Sequence, residues 1–295
     1  MTGLLLGDGS FPGRVWVASG CGGTGRELSS YVDLTRLGAF VTRTITLQPR
    51  PGSTAPRIRE LPGGLLHDSS EQSPGLDSFL ATELPWLAQQ QLPVVVSIAA
   101  REPGEYAELA RRVGASPGVR GVEVNLSAPA AADDPQLRAR MTNTFQLAKV
   151  LGTVRAEVPR GVPVLAKLGP GDDVVALARA AGDSGADAVV LVNAAPARAA
   201  DGRSMALSGP ALHPLALRAV ARVREEVPAL PVVAVGGIGS GTDARAFLDL
   251  GAVAVQVGTA CLSDPAAAAR IADALDAQPD RQSDRQPDIA PRGGR

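Results

Sequence analysis

The chain has 295 residues, of which 45% are hydrophobic and 3% aromatic, and its formal net charge is −1. This composition allows one large buried core and argues against a nucleic-acid partner, because neither a basic surface nor a base-stacking surface is indicated. Two cysteines, Cys21 and Cys261, and two histidines, His67 and His213, are too few for a disulfide framework, a four-thiolate zinc site or a three-histidine metal site.

Eight short runs rich in Val, Ala, Leu and Ile alternate with helix-like segments. We predict strands at 14–19, 39–47, 92–99, 121–127, 162–168, 186–193, 230–237 and 252–260. We predict helices at 26–38, 103–113, 134–158, 172–185, 209–227, 240–251 and 264–276. Near-continuous apolar strands are typical of a parallel sheet buried on both faces, so eight strand–helix units predict an α/β fold, the (β/α)8 TIM barrel. A doubly wound sheet is the alternative, but no G-x-G-x-x-G motif follows the first strand.

The start of the sequence does not have the pattern of a signal peptide. The start, MTGLLLGDGSFPG, lacks the basic and apolar regions of a signal peptide, and no apolar run reaches the roughly 18 residues of a membrane span. We therefore expect a cytoplasmic protein without a membrane partner. Residues 1–276 are expected to form a single domain, and the polar, Pro-rich segment 277–295 is expected to be a disordered tail.

Glycine-rich turns end the seventh and eighth predicted strands. In a (β/α)8 barrel the carboxyl ends of the strands carry the functional site, and the loops after strands seven and eight often bind phosphate. Glycine lets the backbone approach a ligand closely, and free N–H groups at such a turn bind an anion. The sequence therefore predicts an anion site at Gly236, Gly237, Gly258 and Thr259, with ordinary tight turns as the alternative.

Three polar side chains stand near the ends of other predicted strands. Lys167 lies in the apolar run VLAKL, and a buried ammonium is costly unless it is paired or faces an anion or an electron-rich cofactor. Lys167 is therefore interpreted as a Schiff-base nucleophile, as a cation beside a flavin or phosphate, or as a strand-end lysine reaching solvent. Asn125 and Asn193 also end strands, where amides either fix a planar heterocycle or cap loops.

The other candidate residues lie outside this pattern. His67 falls in the segment 48–75, which is rich in Pro, Gly and Ser and is predicted to be a long loop; the loop is interpreted either as solvated or as a lid over the site. Cys21 has no neighbour that would activate a thiol and is predicted to be inert, and Cys261 is assigned to packing.

An ordered set of motifs gives the chain a family resemblance. The segments are VASG, DLTRLGAFVTRTITLQPRPGSTAPRI, VEVNLSAP, VLAKLGP, LVN, LSGPALHPLAL, VVAVGGIGSGTDA and AVAVQVGTA. Over about residues 15–275 they resemble the class 1 dihydroorotate dehydrogenases, and among these the class 1B branch. The resemblance implies an FMN-dependent barrel that transfers hydride at flavin N5 to or from a C–C bond next to a carbonyl.

The resemblance also implies a role for each candidate residue. The glycine turns would bind the FMN phosphate, and the loop Ala18, Ser19 and Gly20 would pass beside the isoalloxazine. Ser208 and Gly209 match a Ser-Gly pair of the family's cofactor site, Lys167 matches the lysine that contacts the flavin, and Arg43 stands where the family has a lysine at cofactor and substrate. Asn125 matches an asparagine at flavin and substrate, and Asn193 matches a substrate-contacting asparagine.

The departures from the family pattern fall on the substrate side. The family has Asn-(Leu/Ile)-Ser-Cys-Pro-Asn, with cysteine as the base, whereas this chain has Asn-Leu-Ser-Ala-Pro-Ala at 125–130. Ala128 therefore replaces the base and Ala130 a substrate asparagine, while His67 replaces another substrate asparagine. A positioned base contributes roughly 10²- to 10⁴-fold, so we predict an altered substrate. His67 is the expected acid–base group, and Ser127 is expected to face elsewhere.

Three other functions stay open at this point. They are a genuine dihydroorotate dehydrogenase of pyrimidine biosynthesis with a relocated base, a flavin-binding protein without turnover, and a Schiff-base lyase. The lyase is disfavoured because it leaves Ser208, Gly209 and the loop 18–20 unexplained. Besides a small-molecule substrate, the resemblance implies a homodimer and, as in class 1B, an electron-transfer partner subunit with iron–sulfur and FAD centres.

Overall fold

The computed structural model describes residues 4–68, 71–127, 142–171 and 173–277. Its centre is a closed barrel of eight parallel strands. In chain order these strands are β3 (Val15–Val17), β4 (Ala39–Val41), β7 (Val94–Ile98), β8 (Val119–Asn125), β9 (Val164–Leu168), β10 (Ala188–Leu191), β13 (Val232–Val235) and β14 (Ala254–Val257). Seven of them lie within a predicted strand, β8 begins two residues before its predicted strand, and the predicted (β/α)8 barrel is confirmed.

Among the described residues, six further strands lie outside the barrel wall. They are β1 (Leu4–Leu6), β2 (Gly9–Phe11), β5 (Ile58–Leu61), β6 (Gly64–His67), β11 (Ala195–Arg198) and β12 (Ser204–Ser208). The first two form an antiparallel hairpin just before β3, and its Leu6 and Phe11 pack with the inward-facing barrel residues. The other four form one antiparallel sheet in the order β11-β12-β6-β5.

Helices alternate with the barrel strands. They are α1 (Arg26–Ser29), α2 (Leu76–Ser78), α3 (Leu84–Ala88), α4 (Pro103–Gly114), α5 (Thr144–Glu157), α6 (Val174–Asp183), α7 (His213–Glu226), α8 (Gly241–Asp249), α9 (Ala260–Ser263) and α10 (Ala267–Asp276). Short 3-10 turns lie at Leu34–Arg36 and Pro210–Leu212, and a π-helical turn lies at Phe79–Glu83. None of the described helices is both long and apolar enough to cross a membrane.

Both faces of the barrel strands are buried, which explains their near-continuous apolar sequence. Outward-facing residues such as Val94 and Val164 pack against the helices, and inward-facing residues such as Val95 and Leu165 fill the barrel interior. Along β8, β9 and β14 the inward-facing positions become polar toward the carboxyl end. The fold therefore places polar groups on top of an apolar interior.

Two segments differ from their prediction. The helix predicted at 26–38 is reduced to α1 and a 3-10 turn, because the Asp33 side chain accepts hydrogen bonds from the Thr35 backbone and hydroxyl and so holds a local turn instead of a helix. The long loop predicted at 48–75 contains the hairpin of β5 and β6, which pairs with β12 from a distant part of the chain. The predicted helix start at 134 and the tail beyond 277 lie outside the described residues.

Candidate functional site

A buried group of three polar side chains crosses the barrel interior. The Lys167 Nζ atom lies 3.3 Å from Glu123 Oε1 and 3.3 Å from Gln256 Oε1. The Gln256 amide also donates from Nε2 to Glu123 Oε2 at 2.8 Å. Glu123 and Gln256 are fully buried and Lys167 is 4% exposed. Lys167 therefore does not reach solvent as an ordinary strand-end lysine, since its charge is balanced inside the barrel.

The two predicted asparagines meet at the carboxyl end of the barrel. Asn193 Nδ2 donates to Ser127 Oγ at 2.7 Å and to Asn125 Oδ1 at 3.3 Å, and the Ser127 backbone N–H donates to Asn125 Oδ1 at 3.3 Å. Asn125 Nδ2 lies 3.4 Å from Thr44 Oγ1, whose hydroxyl contacts Ser97 Oγ at 3.1 Å. A chain of amides and hydroxyls therefore joins the ends of β7 and β8 to the segments that follow β4, β8 and β10.

Ser127 belongs to this chain of polar groups, which differs from the expectation that it faces elsewhere. That expectation assumed strand alternation through residue 127, whereas β8 ends at Asn125. The backbone turns after Asn125 and brings Ser127, which is 3% exposed, onto the Asn193 amide. Ala128 and Ala130, the two replaced positions of the family motif, lie outside the described residues.

Three glycine turns converge at one point beside these polar groups. A Cβ atom built on Gly237 would lie 3.0 Å from the Gly209 carbonyl oxygen, and a Cβ built on Gly209 would lie 3.5 Å from Thr259 Cγ2. Gly209, Gly236 and Gly237 have φ angles of 104°, 131° and 66°, a region that favours glycine. The two turns predicted as one anion site, after β13 and β14, therefore both lie next to the turn at Gly209 after β12, which the family resemblance assigns to the cofactor site.

Several backbone N–H groups of these turns have no acceptor among the described residues. Among the described residues, the N–H groups of Gly236, Gly237, Gly258 and Thr259 donate to no protein acceptor. Clustered free backbone N–H groups form an anion-binding concavity. These N–H groups are therefore available to an anion, and a Cβ at Gly236, Gly237 or Gly258 would meet atoms of neighbouring segments.

The loop after β3 lies against the third of these turns. The Ala18 backbone N–H donates to the Val257 carbonyl at 2.9 Å, and a Cβ built on Gly258 would touch Ala18 Cβ and Cys21 Sγ at 3.5 and 3.6 Å. Ser19 is half-buried and Gly20 is exposed. Burial raises the pKa of the Cys21 thiol to about 11, and the nearby Lys167 charge opposes part of that rise. Cys21 is therefore a protonated thiol near the lysine.

Arg43 lies farther along the same side of the barrel. Its Nε atom is buried and has no hydrogen-bond partner among the described residues. Burial raises the pKa of Glu83, and the charge of Arg43 partly offsets the rise, so the guanidinium lies within electrostatic range of this carboxyl group. No described hydrogen bond joins Arg43 to Lys167 or to the asparagines.

His67 ends strand β6 and does not lie in a loop. It pairs with Ala206 of β12 and Ile58 of β5, two residues from the pair formed by Leu65 and Ser208. Burial lowers the pKa of His67, and neighbouring Asp68 partly offsets the fall. The structure therefore brings His67 to the sheet that ends at Ser208, without a described hydrogen bond to the other candidate residues.

Sequence reasoning missed Glu123, Gln256, Thr44 and Ser97. The signal for the first two is a single polar residue within an apolar strand, in VEV and VQV. Among the described residues, no group of three or more His, Cys, Asp or Glu side chains is arranged to hold a metal ion.

Comparison with known proteins gives one consistent family. The family model described as dihydroorotate dehydrogenase matches residues 6–278. The catalytic subunit of dihydroorotate dehydrogenase B (NAD(+)) from Pelobacter propionicus is 41% identical over 272 residues, covering 89% of this chain and 88% of that protein. The subunit of the same name from Desulforudis audaxviator is 41% identical over 268 residues, covering 88% and 86%.

A solved structure agrees at the level of fold. The dihydroorotate dehydrogenase of Eimeria tenella in complex with ferulenol superposes with a TM-score of 0.76, covering 92% of this chain and 83% of that one. Its sequence is 20% identical, so this likeness supports the barrel architecture and carries no argument about the ligand.

Proposed function

The chain belongs to the dihydroorotate dehydrogenase family, and from this premise we propose that it is an FMN-dependent oxidoreductase acting on a C–C bond next to a carbonyl. The observation that carries the proposal is that the glycine turns and the polar groups at the barrel mouth adjoin each other along strand β14. On this strand Gln256 contacts Lys167, and the turn at Gly258 and Thr259 follows directly.

The residues present fit FMN by their hydrogen-bonding capacity. The free N–H groups of the three turns would hold the phosphate. The Lys167 ammonium has three N–H bonds, of which Glu123 and Gln256 accept two, so one is left for an electron-rich ring. When bound, FMN supplies a hydride acceptor and donor at N5.

The asparagines retain one donor and one acceptor for a ligand. Among the described residues, Asn193 uses both N–H bonds on Asn125 and Ser127, and its Oδ1 accepts one hydrogen bond, from the Ala194 backbone N–H. Asn125 keeps one N–H bond that has no described acceptor. A free amide N–H next to a free carbonyl lone pair suits a substrate with an amide-like edge.

We propose that the substrate differs from dihydroorotate. Alanine cannot accept a proton, and Ala128 and Ala130 together remove the family's base and one of its amide contacts. A pocket that relies on amide hydrogen bonds discriminates strongly when those bonds are lost. His67 is the proposed acid–base group, since burial lowers its pKa and so favours the neutral imidazole that accepts a proton at neutral pH.

A second candidate function is oxidation of dihydroorotate itself with His67 as a relocated base. It is favoured by the 41% identity to proteins named as dihydroorotate dehydrogenase B catalytic subunits. Those names also support a proposal that this chain is a catalytic subunit that passes electrons to a partner subunit, and a cytoplasmic location stays a prediction. A homodimer is proposed by analogy with the family.

The contacts of Lys167 disfavour the lyase. The Lys167 Nζ atom is held by Glu123 and Gln256, each at 3.3 Å inside the barrel, and attack on a carbonyl carbon would require it to give up these contacts. A flavin-binding protein without turnover is the outcome expected if no substrate reacts.

The experiment that tests the proposal is an absorbance spectrum of the purified protein, followed by identification of the released flavin. We expect a yellow protein with one FMN per chain. Anaerobic addition of dihydroorotate to the oxidised protein, or of cyclic enones to protein reduced with dithionite, then distinguishes the two substrate classes. A colourless protein that does not take up added FMN would overturn the proposal.

A further inference from the structure

The group formed by Glu123, Lys167 and Gln256 closes the barrel beneath the proposed cofactor site. Glu123 on β8 and Lys167 on β9 are on neighbouring strands, whereas β14 with Gln256 lies on the opposite side of the barrel. The side chains meet across the interior at 2.8–3.3 Å. The next inward-facing residue toward the amino end is Leu165 on β9 and Ala254 on β14, and both belong to the apolar interior. Glu123, Lys167 and Gln256 therefore form a polar layer between the apolar interior of the barrel and its carboxyl-terminal mouth.

The hydrogen bonds of this group leave a single arrangement. Gln256 donates from Nε2 to Glu123 and accepts through Oε1 from Lys167, so its amide has one orientation. The Glu123 carboxylate has one oxygen on each partner. Because each side chain fixes the other two, the ammonium cannot change rotamer without leaving a buried polar group unpaired.

We propose that Glu123 and Gln256 are positioning residues that fix the Lys167 ammonium under FMN with one N–H bond directed to the cofactor. This inference rests on the proposed function, because it assigns the group a purpose at the flavin. The side chains of Leu165 and Ala254 in the layer below carry no acceptor, and among the described residues Lys167 Nζ has no third hydrogen-bond partner, so its remaining N–H bond is assigned to the side of the barrel mouth. Glu123 balances the charge, and Gln256 fixes the direction.

The charge balance gives this arrangement a second consequence. Without Glu123, the buried Lys167 would carry an uncompensated charge, which would destabilise the folded protein when no cofactor is bound. Glu123 compensates that charge, and the third N–H bond of Lys167 remains a donor to the negative charge that FMN gains on reduction. Gln256 is neutral, so its replacement changes the position of the ammonium without changing the net charge.

The chain allows a direct measurement of lysine position, because Lys167 and Lys149 are its only lysines. Protein grown with ¹³Cε-lysine gives two methylene signals, and Lys149, which is exposed on α5, is the internal reference. Lys149→Arg assigns the signals. At Lys167 we expect the two Cε methylene protons to have separate chemical shifts, which indicates one fixed rotamer. At the exposed Lys149 we expect a single averaged shift. Gln256→Met should collapse the Lys167 pair toward the Lys149 pattern, in protein with or without FMN.

The midpoint potential of bound FMN is the readout that a purely structural role would not move. In Gln256→Met we expect a shift to more negative values, equivalent to roughly a tenfold loss in the preference for reduced over oxidised FMN, since a hydrogen bond to a charged group is weakened. Gln146→Met, an exposed change on α5, is the matched control and should leave both readouts unchanged. If Gln256→Met does not fold, Gln256→Asn stays neutral but is one methylene shorter, so its amide cannot keep both contacts, and it should disturb the same lysine signals and potential.

The outcomes separate this inference from the proposed function. Wild-type lysine signals in Gln256→Met, or altered signals with an unchanged potential, would overturn the positioning role. A wild-type protein that binds no FMN would overturn the proposed function, and the positioning role at a flavin with it. In that case a collapse of the lysine signals in Gln256→Met would still show that Gln256 orders the ammonium. Failure of the proposed function is therefore distinguishable from failure of the positioning role.

Discussion

Replacing Gly237 by alanine tests the convergence of the glycine turns. The φ angle of Gly237 is 66°, and a Cβ atom built there would lie 2.7 Å from His213 Cβ, 2.8 Å from the His213 backbone nitrogen and 3.0 Å from the Gly209 oxygen. Two of these three atoms belong to the backbone, which cannot move aside as a flexible side chain can. The substitution therefore forces two turns apart.

The expected loss of stability has two parts. A left-handed backbone costs an L-residue about 1–2 kcal/mol, and overpacking adds about 1–3 kcal/mol. Gly237→Ala should therefore lower the free energy of unfolding by about 2–5 kcal/mol. Gly202→Ala is the matched control, because Gly202 has φ 86° and no atom within 4 Å of a built Cβ, so only the first part applies.

Urea denaturation measures the free energy, and the flavin absorbance per chain measures FMN content. We expect Gly237→Ala to lose FMN and to be less stable than Gly202→Ala by about 1–3 kcal/mol, while Gly202→Ala keeps its FMN. Equal stability of the two variants would refute the packing argument. Full FMN occupancy in Gly237→Ala would refute the assignment of these turns to the phosphate.

Three further predictions concern buried titratable groups. Lys167→Met leaves the buried Glu123 carboxylate without its cation and should lower the free energy of unfolding, measured by urea denaturation, by about 3–5 kcal/mol. The double variant Lys167→Met with Glu123→Gln should recover part of that loss, and no recovery would contradict the pairing. Because burial lowers the pKa of His67 in the folded state, the unfolded chain binds more protons, so stability should fall as the pH drops below about 6.5. His67→Gln should flatten that fall in denaturation curves between pH 7 and pH 5, and an identical pH profile would count against it. Burial raises the pKa of Cys21 to about 11 and of Cys261 to about 12, so both thiols should resist iodoacetamide at pH 7.5 until urea exposes them; alkylation of the native protein at the rate of a free cysteine would contradict this.

The barrel was predictable because its signals are local. Each barrel strand is a short apolar run bounded by turn residues, and the turns at Gly237 and Gly258 are visible as glycine motifs. The sheet of β5, β6, β11 and β12 was missed because its strands are short and pair over long separations, as His67 does with Ala206. Such pairing leaves no periodic pattern in either segment.

The polar group inside the barrel shows a different limit of sequence reasoning. Lys167 stood out as a lysine in an apolar strand, yet its partners Glu123 and Gln256 become meaningful only when β8 and β14 face each other across the closed barrel. Ser127 was misplaced for a related reason, since the end of β8 decides its direction and the sequence does not mark that end.

The central claim, a kept FMN site with an altered substrate pocket, is tested most directly by anaerobic rapid mixing of the purified protein with dihydroorotate. The wild-type chain is compared with a variant that carries Ala128→Cys and Ala130→Asn, and the oxidised-flavin absorbance is followed. We predict a stable yellow band in the wild type and faster bleaching in the variant, by roughly 10²- to 10⁴-fold if the cysteine acts as a base. Rapid bleaching of the wild type would contradict the account and assign the chain to dihydroorotate oxidation with a relocated base.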